Sequence, residues 1–264
     1  MVKGTFTADE WQALQAYGLS LSSPGETFGP RIDAAQLLDD DHCLAVLEQI
    51  APVLGAPNIK VAASLTIKRL AFLVLAPTLY AMSRFDKGLD VSLSLCQFDY
   101  RLKDRIWQST LPLKSIHITP LCADRSAWRT HVLQQAFAEH LTPLVEIFHR
   151  LTRSPKRILW ENVAVRVFSI YERRVLPGLE GSQRALAQAD YAWLLSPDAS
   201  AVFGLETNPI AEFDVAFTQL EQVAEPVRIR RTCCYYYRAT EPQEFCNNCP
   251  LPLRLQRNKK APIR

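Results

Sequence analysis

The strongest constraint on this chain is a cluster of cysteines near its C-terminal end. Four of the seven cysteines lie between residues 233 and 249, in the spacing C-C-x11-C-x2-C. They are Cys233, Cys234, Cys246 and Cys249. A C-x2-C turn brings two thiolates to one metal ion, and Asn247-Asn248 suits the tight turn between them. Neighbouring side chains of an extended backbone point apart, so both members of the adjacent pair face one site only if the chain bends there.

Three kinds of site are compatible with this spacing. Four thiolates form either an all-cysteine zinc site or an all-cysteine [2Fe–2S] cluster. A dithiol redox site at Cys233-Cys234 or at Cys246-Cys249 is the third alternative. Zinc sites usually use two hooks of the C-x2-C kind, and here an adjacent pair replaces one of them. This departure favours the iron–sulfur cluster.

The apolar segments predict a cytoplasmic protein. The first residues carry no apolar stretch followed by a small-residue cleavage site, so we expect no secretory signal. The longest apolar run, residues 70–82, contains Pro77 and falls short of the roughly 20 residues of a membrane span. We therefore expect no membrane span and at most a peripheral association. Clustered cysteines that are kept reduced in the cytosol bind metal more often than they form disulfides.

Nucleotide-binding fingerprints are absent from the sequence. The chain has only 9 glycines, and neither G-x-G-x-x-G nor G-x-x-x-x-G-K-[ST] occurs. A Rossmann site or a P-loop is therefore not expected. If the protein transfers electrons, we expect them to come from an external donor such as a ferredoxin or a reductase.

Positive charge is concentrated at the cysteine end of the chain. Residues 225–264 hold nine basic and three acidic side chains, a net charge of +6, which leaves −3 on residues 1–224 because the whole chain is +3. Three tyrosines follow the first cysteine pair. A zinc-stabilised, basic module that binds nucleic acid would use such a segment. No groove-binding helix is recognisable, however, and we expect no nucleic-acid partner.

Apolar periodicity predicts an α+β fold that is mostly helical, with a small antiparallel sheet and a C-terminal cysteine-rich segment. We expect a body over residues 1–224 and a basic cluster segment over 225–264, packed together as one unit. Helical patterns cover residues 7–18, 33–50, 61–84, 126–151 with a break at Pro143, 157–176 and 183–195. Strand patterns cover residues 89–98, 106–111, 116–119, 212–218 and 227–232.

The cysteine motif resembles that of the FhuF-type ferric-siderophore reductases. An arginine-rich strand leads into the pair, as Arg230-Arg231-Thr232-Cys233-Cys234, and the second hook reads Cys246-Asn-Asn-Cys249. Two upstream segments are also similar to the family, namely Ile158-Leu-Trp-Glu-Asn162 and Leu89-Asp-Val-Ser92. The spacer over residues 235–245 is one residue longer than the form typical of the family.

The resemblance implies a cofactor, a substrate and a ligand set. The cofactor would be a [2Fe–2S] cluster on Cys233, Cys234, Cys246 and Cys249, and the substrate would be iron in a siderophore, most typically a hydroxamate, reduced in the cytosol. A siderophore holds Fe(III) more tightly than Fe(II), and each tenfold preference lowers the potential of the complex by about 59 mV. An all-thiolate cluster near about −400 mV is a suitable one-electron donor for such a complex.

Several further residues are candidates for substrate contact. Arg230, Arg231 and Arg238 would attract an anionic iron complex or an acidic electron donor. Tyr235 would either flank the substrate or limit water at the cluster. Trp160 and Asn162 are candidates for the siderophore pocket, although Trp160 equally fits a plain core position and Asn162 a brace for the cysteine loop.

The remaining histidines and cysteines do not form a site by spacing. His131, His140 and His149 lie nine residues apart, which places them on different faces or far from each other on a helix. Cys43, Cys96 and Cys122 stand in largely apolar surroundings and are expected to be buried, and Cys122, in the loop after Pro120, is the first of the three that we would expect to be exposed. A siderophore-binding protein without reductase activity remains an alternative function.

Overall fold

A computed structural model describes residues 5–23, 29–103, 106–219 and 225–253 of the chain. Helices make up 57% of the structure, which confirms the mostly helical α+β class. The helices are α1 (Ala8–Gln15), α2 (Asp40–Val53), α3 (Ile59–Phe85), α4 (Arg125–Ala136), α5 (Thr142–Thr152), α6 (Lys156–Ile170) and α7 (Gly181–Leu194). The strands are β1 (Leu19–Leu21), β2 (Arg31–Asp33), β3 (Lys87–Leu89), β4 (Gln97–Lys103), β5 (Ile106–Leu113) and β6 (Ile118–Pro120).

The strands form two small sheets. The larger sheet has the order β1-β5-β4-β2, in which β4 pairs antiparallel with β5 and with β2. Its β1 edge pairs parallel with β5, with Leu19 opposite Leu111. Strands β3 and β6 form a separate antiparallel pair. The sheets are therefore mostly antiparallel, as the sequence predicts.

Helix α3 is the centre of the hydrophobic core. The Asn58 side chain caps its first turn by accepting from the backbone N–H of Val61 at 3.1 Å, and Asp86 ends it in a left-handed conformation. Buried side chains lie all around the helix, which is the pattern of a helix covered by neighbours on every side. Helices α1, α2, α4, α5 and α7 pack on it, and α6 makes the most extensive contact. This α3–α6 pair is the platform for the cysteine segment.

Prolines lie inside two helices without ending them, and the break expected near Pro143 is present. Helix α3 runs through Pro77 and α2 runs through Pro52, so neither residue ends its helix. The predicted helix over residues 126–151 is split into α4, a π-helical turn at Phe137–Leu141, and α5. Pro143 falls in the first turn of α5, directly after the π-helical turn, and such turns and prolines are the usual causes of a break in a helix.

Three predicted strands are wrong in extent. The range 89–98 is not one strand. It begins at the last residue of β3 and ends within the first residues of β4, and a turn lies between them. Residues 211–213 form a 3₁₀ turn, and the predicted strands 212–218 and 227–232 are reduced to a single bridge between Thr218 and Val227. The backbone of the second segment bonds to a helix side chain instead of a neighbouring strand, as the next section shows.

None of the described helices is long and apolar enough to cross a membrane. Arg254, Arg257, Lys259, Lys260 and Arg264, which contribute to the basic end of the sequence, lie outside the described residues. The division into a body and a C-terminal segment stays a prediction.

Candidate metal centre

The four clustered cysteines are free thiols, and two of them are in close contact. The Sγ atoms of Cys234 and Cys246 lie 4.0 Å apart, and the neighbouring Cys249 thiol contributes to a raised pKa of Cys233. Two thiolates bound at about 2.3 Å to one tetrahedral metal ion lie about 3.8 Å apart. Cys234 and Cys246 therefore have the separation of two ligands on one ion. Among the described residues, no three His, Cys, Asp or Glu side chains form a group suited to a single metal ion.

Local backbone geometry bends the chain at both cysteine hooks. The chain turns directly after the adjacent cysteines, where Tyr235 adopts a left-handed conformation with φ of 64°. The backbone N–H of Tyr235 donates to the Sγ atom of Cys233 at 3.3 Å. At the other hook, the N–H of Cys249 donates to the carbonyl of Cys246 at 2.9 Å and closes the C-x2-C turn. The bend that the sequence required at the adjacent pair is therefore present.

Glu161 on helix α6 holds the segment that leads into the first cysteine pair. Its buried carboxylate accepts from the backbone N–H groups of Arg231 at 2.6 Å and Thr232 at 2.8 Å, and from the Thr232 hydroxyl. The Nη2 atom of Arg230 lies 3.5 Å from the same carboxylate. These bonds satisfy the backbone groups that a β-ladder would otherwise use, which explains why residues 227–232 do not form the predicted strand.

Asn162 and Ser64 extend this network to the cysteine backbone. The Oδ1 atom of Asn162 accepts from Arg230 at 2.7 Å, and its Nδ2 atom donates to the carbonyl of Ser64 at 2.8 Å. The Ser64 hydroxyl on α3 then donates to the carbonyl of Cys234 at 3.0 Å. A continuous chain of hydrogen bonds thus connects α6, α3 and the cysteine, and it gives Asn162 the geometry of a brace.

Positive charge faces the buried thiol of Cys234. The Nζ atom of Lys68 lies 3.9 Å from the Cys234 Sγ atom, and the Nε atom of Arg166 donates to the Lys68 carbonyl at 3.1 Å. Contact with the Cys246 thiol lowers the pKa of Cys234, and the charges of Lys68 and Arg230 lower it further. The same contact raises the pKa of Cys246. Cys234 is therefore the thiol of this pair that loses its proton first.

Burial works against charge on the other groups at the centre. It raises the pKa of Cys233 to about 11 and lowers the pKa of Arg166 to about 10. Burial also lowers the pKa of Lys68. These shifts describe a site where ionised groups are stabilised by each other and not by water.

A basic pocket of about 200 Å³ adjoins the centre. Its charged and polar lining consists of five cations and two carboxylates with serine and asparagine, and the cations are in excess: Lys68, Arg166, Arg173, Arg228, Arg230, Glu161, Glu172, Ser169 and Asn248. Asn248 belongs to the C-x2-C turn, and its carbonyl accepts from the backbone N–H of Arg230 at 3.0 Å. The pocket therefore opens beside the second cysteine hook, and its basic lining would suit an anionic group.

The other candidate residues have different surroundings. Trp160 is 4% exposed and packs edge-to-face on Phe203 in the core, with ring centroids 5.8 Å apart. Arg231 and Arg238 are exposed, and Tyr235 is half-buried. Cys43 and Cys96 are buried, as expected, whereas Cys122 is exposed in the loop after Pro120.

Sequence reasoning missed Glu161 and Lys68. Glu161 stands in an apolar stretch of α6 in which every residue from 158 to 164 is buried. A carboxylate in a helix that is covered on all sides needs partners, and this is the signal that identifies it.

This geometry places the chain in a class, that of proteins with a cluster of four cysteines docked on a helical body. Comparison with known families gives the particular family. The family described as ferric iron reductase FhuF-like transporter matches residues 67–213, and the FhuF 2Fe-2S C-terminal domain matches residues 230–251. The first match covers more than half of the chain, so the chain belongs to the FhuF-like ferric iron reductase family. No curated protein matches the chain.

The two matches confirm the resemblance in the sequence and identify the cofactor as a [2Fe–2S] cluster. The residues at the centre fit this group. Four thiols are the donor set of such a cluster, and backbone N–H donors and cations near sulfur are the neighbours that tune it. The chain is accordingly an oxidoreductase of the ferric iron reductase class.

Proposed function

We propose that this protein is a ferric-siderophore reductase whose cluster ligands are Cys233, Cys234, Cys246 and Cys249. The observation that carries the proposal is the close contact of two thiols, held on α3 and α6, inside the matched 2Fe-2S domain. When bound, the cluster supplies a one-electron carrier of low potential. One electron converts siderophore-bound Fe(III) to Fe(II), which the siderophore holds less tightly and releases.

The protein's own residues have three tasks in this reaction. Glu161, Asn162 and Ser64 fix the backbone of the cysteine segment, so the ligands are held in place before the cluster binds. The low exposure of Cys234 and Cys249, at 0% and 6%, limits water at the centre. The basic pocket receives oxygen acceptors of the iron complex close to the second hook.

The pocket sets a limit on what it can enclose. A volume of about 200 Å³ is below the range of about 300 to 1,000 Å³ of typical small-molecule sites. We propose that a ferric hydroxamate docks at the surface and places one arm in the pocket. Arg173 is exposed at this pocket, and Arg231 and Arg238 are exposed near the cysteines, so all three are candidates for contact with the complex.

We place the reaction in the cytosol, with electrons supplied by an external ferredoxin or reductase. The sequence carries no Rossmann or P-loop fingerprint, so a donor protein is the simplest source of electrons. Exposed arginines around the centre favour an acidic donor surface.

Anaerobic stopped-flow mixing tests the proposed function. Reduced protein, freed of excess dithionite, is mixed with ferric hydroxamates, a ferric catecholate and ferric citrate in the presence of an Fe(II) chelator. We expect oxidation of the protein and one Fe(II) released per electron, fastest with a hydroxamate. A coloured protein that binds ferric siderophores without releasing Fe(II) would show a binding protein instead. A colourless protein with one zinc ion would overturn the proposal altogether.

A further inference from the structure

Lys68 stands apart from the other lysines because its ammonium group faces a cysteine. Its Nζ atom lies 3.9 Å from the Sγ atom of Cys234, within the range of a hydrogen bond to sulfur. The residue projects from the middle of α3, and its side chain is half-buried between α6 and the cysteine segment. A lysine ordinarily keeps its charged end in water, so this placement needs a stabilising partner.

In the described part of the chain, the hydrogen bond of the Lys68 ammonium goes to the Cys234 thiol. Cys234 and Cys246 stabilise its ammonium, whereas the guanidinium groups of Arg166 and Arg230 repel it. No carboxylate forms an ion pair with Lys68 in the described part of the chain. Buried charges are stable when they are paired, and the sulfur of Cys234 is the partner that lies within reach of the Lys68 ammonium.

Arg166 strengthens this arrangement. Its Nε atom donates to the Lys68 carbonyl, and its guanidinium lies over the Phe72 ring, 5.6 Å from the centroid. Arg174 lies over the same ring at 5.1 Å, so these cations have aromatic and carbonyl partners instead of carboxylates. The two carboxylates that line the same pocket, Glu161 and Glu172, are paired with Arg230 and Arg228 and not with Lys68.

We infer that Lys68 is a positioning residue that donates to Cys234 and raises the reduction potential of the centre. The inference rests on the proposed function for the identity of the ligands. Reduction adds one negative charge, and a fixed cation close to a ligand sulfur stabilises the more negative state. The hydrogen bond to sulfur acts in the same direction, because it withdraws charge from the thiolate. Lys68 would thus favour uptake of the electron from the donor.

The test compares three variants of the cluster-loaded full-length protein. Lys68→Met removes the charge and the donor but keeps the apolar stem, and Lys68→Arg keeps both. Lys114→Met is the matched control, since it removes one positive charge from a lysine whose partner is Asp33 on the sheet. For each protein the midpoint potential is measured by redox titration, and the Fe–S stretching bands are recorded by resonance Raman in H₂O and D₂O.

We expect Lys68→Met to shift the ratio of oxidised to reduced protein at least tenfold toward the oxidised form, which corresponds to about 59 mV. Its Fe–S bands should lose part of their sensitivity to D₂O. Lys68→Arg should restore most of both properties, and Lys114→Met should match the wild type. If Lys68→Met fails to bind the cluster, Lys68→Gln provides the same comparison.

Failure of this inference is distinguishable from failure of the proposed function. If the wild type carries a cluster and reduces ferric siderophores, but Lys68→Met has an unchanged potential and unchanged bands, the role of Lys68 is wrong and the function stands. If the wild type carries no cluster, the proposed function has failed. An equal shift of the midpoint potential in Lys114→Met would also overturn the inference, because the effect would then come from the net charge of the protein and not from the position of Lys68.

Discussion

The α3–α6 core and the cysteine segment of residues 228–249 are stabilised by different interactions. The core helices bury aliphatic and aromatic side chains, such as Leu73, Leu79 and Val163, at 0% exposure. In the segment, the buried side chains are those of Arg230, Cys234 and Cys249. Its regular structure is limited to one 3₁₀ turn, Tyr236–Arg238. The core is therefore stabilised by the hydrophobic effect, and the segment by polar bonds and, when loaded, by its metal ligands.

This difference implies that the segment depends on the body. Hydrophobic burial distributes the folding free energy over many contacts, so a single substitution in the core lowers the stability of the core without abolishing it. The segment is held by a few hydrogen bonds that end on Glu161, Asn162 and Ser64. Loss of one such partner leaves buried donors unsatisfied, which costs the full desolvation of those groups.

The largest effect is expected when Glu161 is replaced. Glu161→Ala removes the acceptor for the N–H groups of Arg231 and Thr232 and leaves the charge of Arg230 without its carboxylate. Removing one partner of a buried ion pair costs about 3–5 kcal/mol. We expect much faster loss of iron to a chelator, with an unchanged helical far-UV circular dichroism spectrum.

Two variants control this experiment. Glu161→Gln keeps one acceptor oxygen and should lose iron at an intermediate rate. Glu212→Ala removes an exposed carboxylate paired with Arg157 at the surface and should resemble the wild type. Equal iron loss in all three proteins would contradict the anchoring role of Glu161.

A second prediction concerns the body and its response to acid. His140 is fully buried, and burial lowers its pKa from 6.5 to about 4. Above pH 6.5 the imidazole is neutral in both states; between pH 6.5 and 4 the unfolded chain binds a proton that the folded chain does not. This group therefore removes about 3 kcal/mol of folding stability as the pH falls through that interval, with no further loss below it.

Urea unfolding at pH 7.0, 5.5 and 4.5 measures this effect. His140→Gln should show a shallower loss of unfolding free energy with falling pH than the wild type. His131→Gln changes an exposed histidine and serves as the control. If His140→Gln and the wild type have the same dependence on pH, His140 does not set the acid sensitivity of the body.

A third, smaller effect is expected at Gly55, where the body meets the segment from the other side. Gly55 has φ of +67°, and a Cβ atom there would lie 2.8 Å from the carbonyl oxygen of Ala239. Gly55→Ala should weaken the docking of the segment by about 1–3 kcal/mol through strain and this close contact. Limited proteolysis should cleave the segment faster in this variant. Gly181→Ala is the control. Gly181 also has a positive φ, but an added Cβ atom there would have no neighbouring atom within 4 Å, so the difference between the two variants measures the contact with Ala239.

The smallest effect is expected at the rim of the basic pocket. Arg173→Ala removes an exposed cation and should slow the second-order reaction with an anionic ferric siderophore a few-fold at low ionic strength. The difference should vanish at high salt because the charges are screened. Arg150→Ala, at an exposed ion pair with Asp40, is the control. If Arg173→Ala and the wild type react at equal rates at every salt concentration, the pocket does not take part in docking.

The same contrast explains what the sequence could and could not predict. The apolar periodicity of α3 and α7 and the Thr7 cap of α1 are local signals, so these helices were predicted close to their observed bounds. The four cysteines were identified because their spacing is itself the signal. The strand predicted over residues 227–232 was wrong because the backbone N–H groups of Arg231 and Thr232 bond to Glu161, which is 70 and 71 positions away. Contacts of this kind leave no periodic pattern.

The central claim is that four cysteines hold a [2Fe–2S] cluster on the α3–α6 platform. The most direct test is the iron and acid-labile sulfide content, with the EPR spectrum after dithionite reduction, of the wild type and of four single Cys→Ser variants at positions 233, 234, 246 and 249. Cys122→Ser is the control, since this thiol is exposed and lies outside the cluster. The account predicts two irons, two sulfides and one unpaired electron in the wild type and in Cys122→Ser, and loss or marked change of the signal in each of the other four. A Cys234→Ser variant with a full, unaltered cluster and full reductase activity would contradict it.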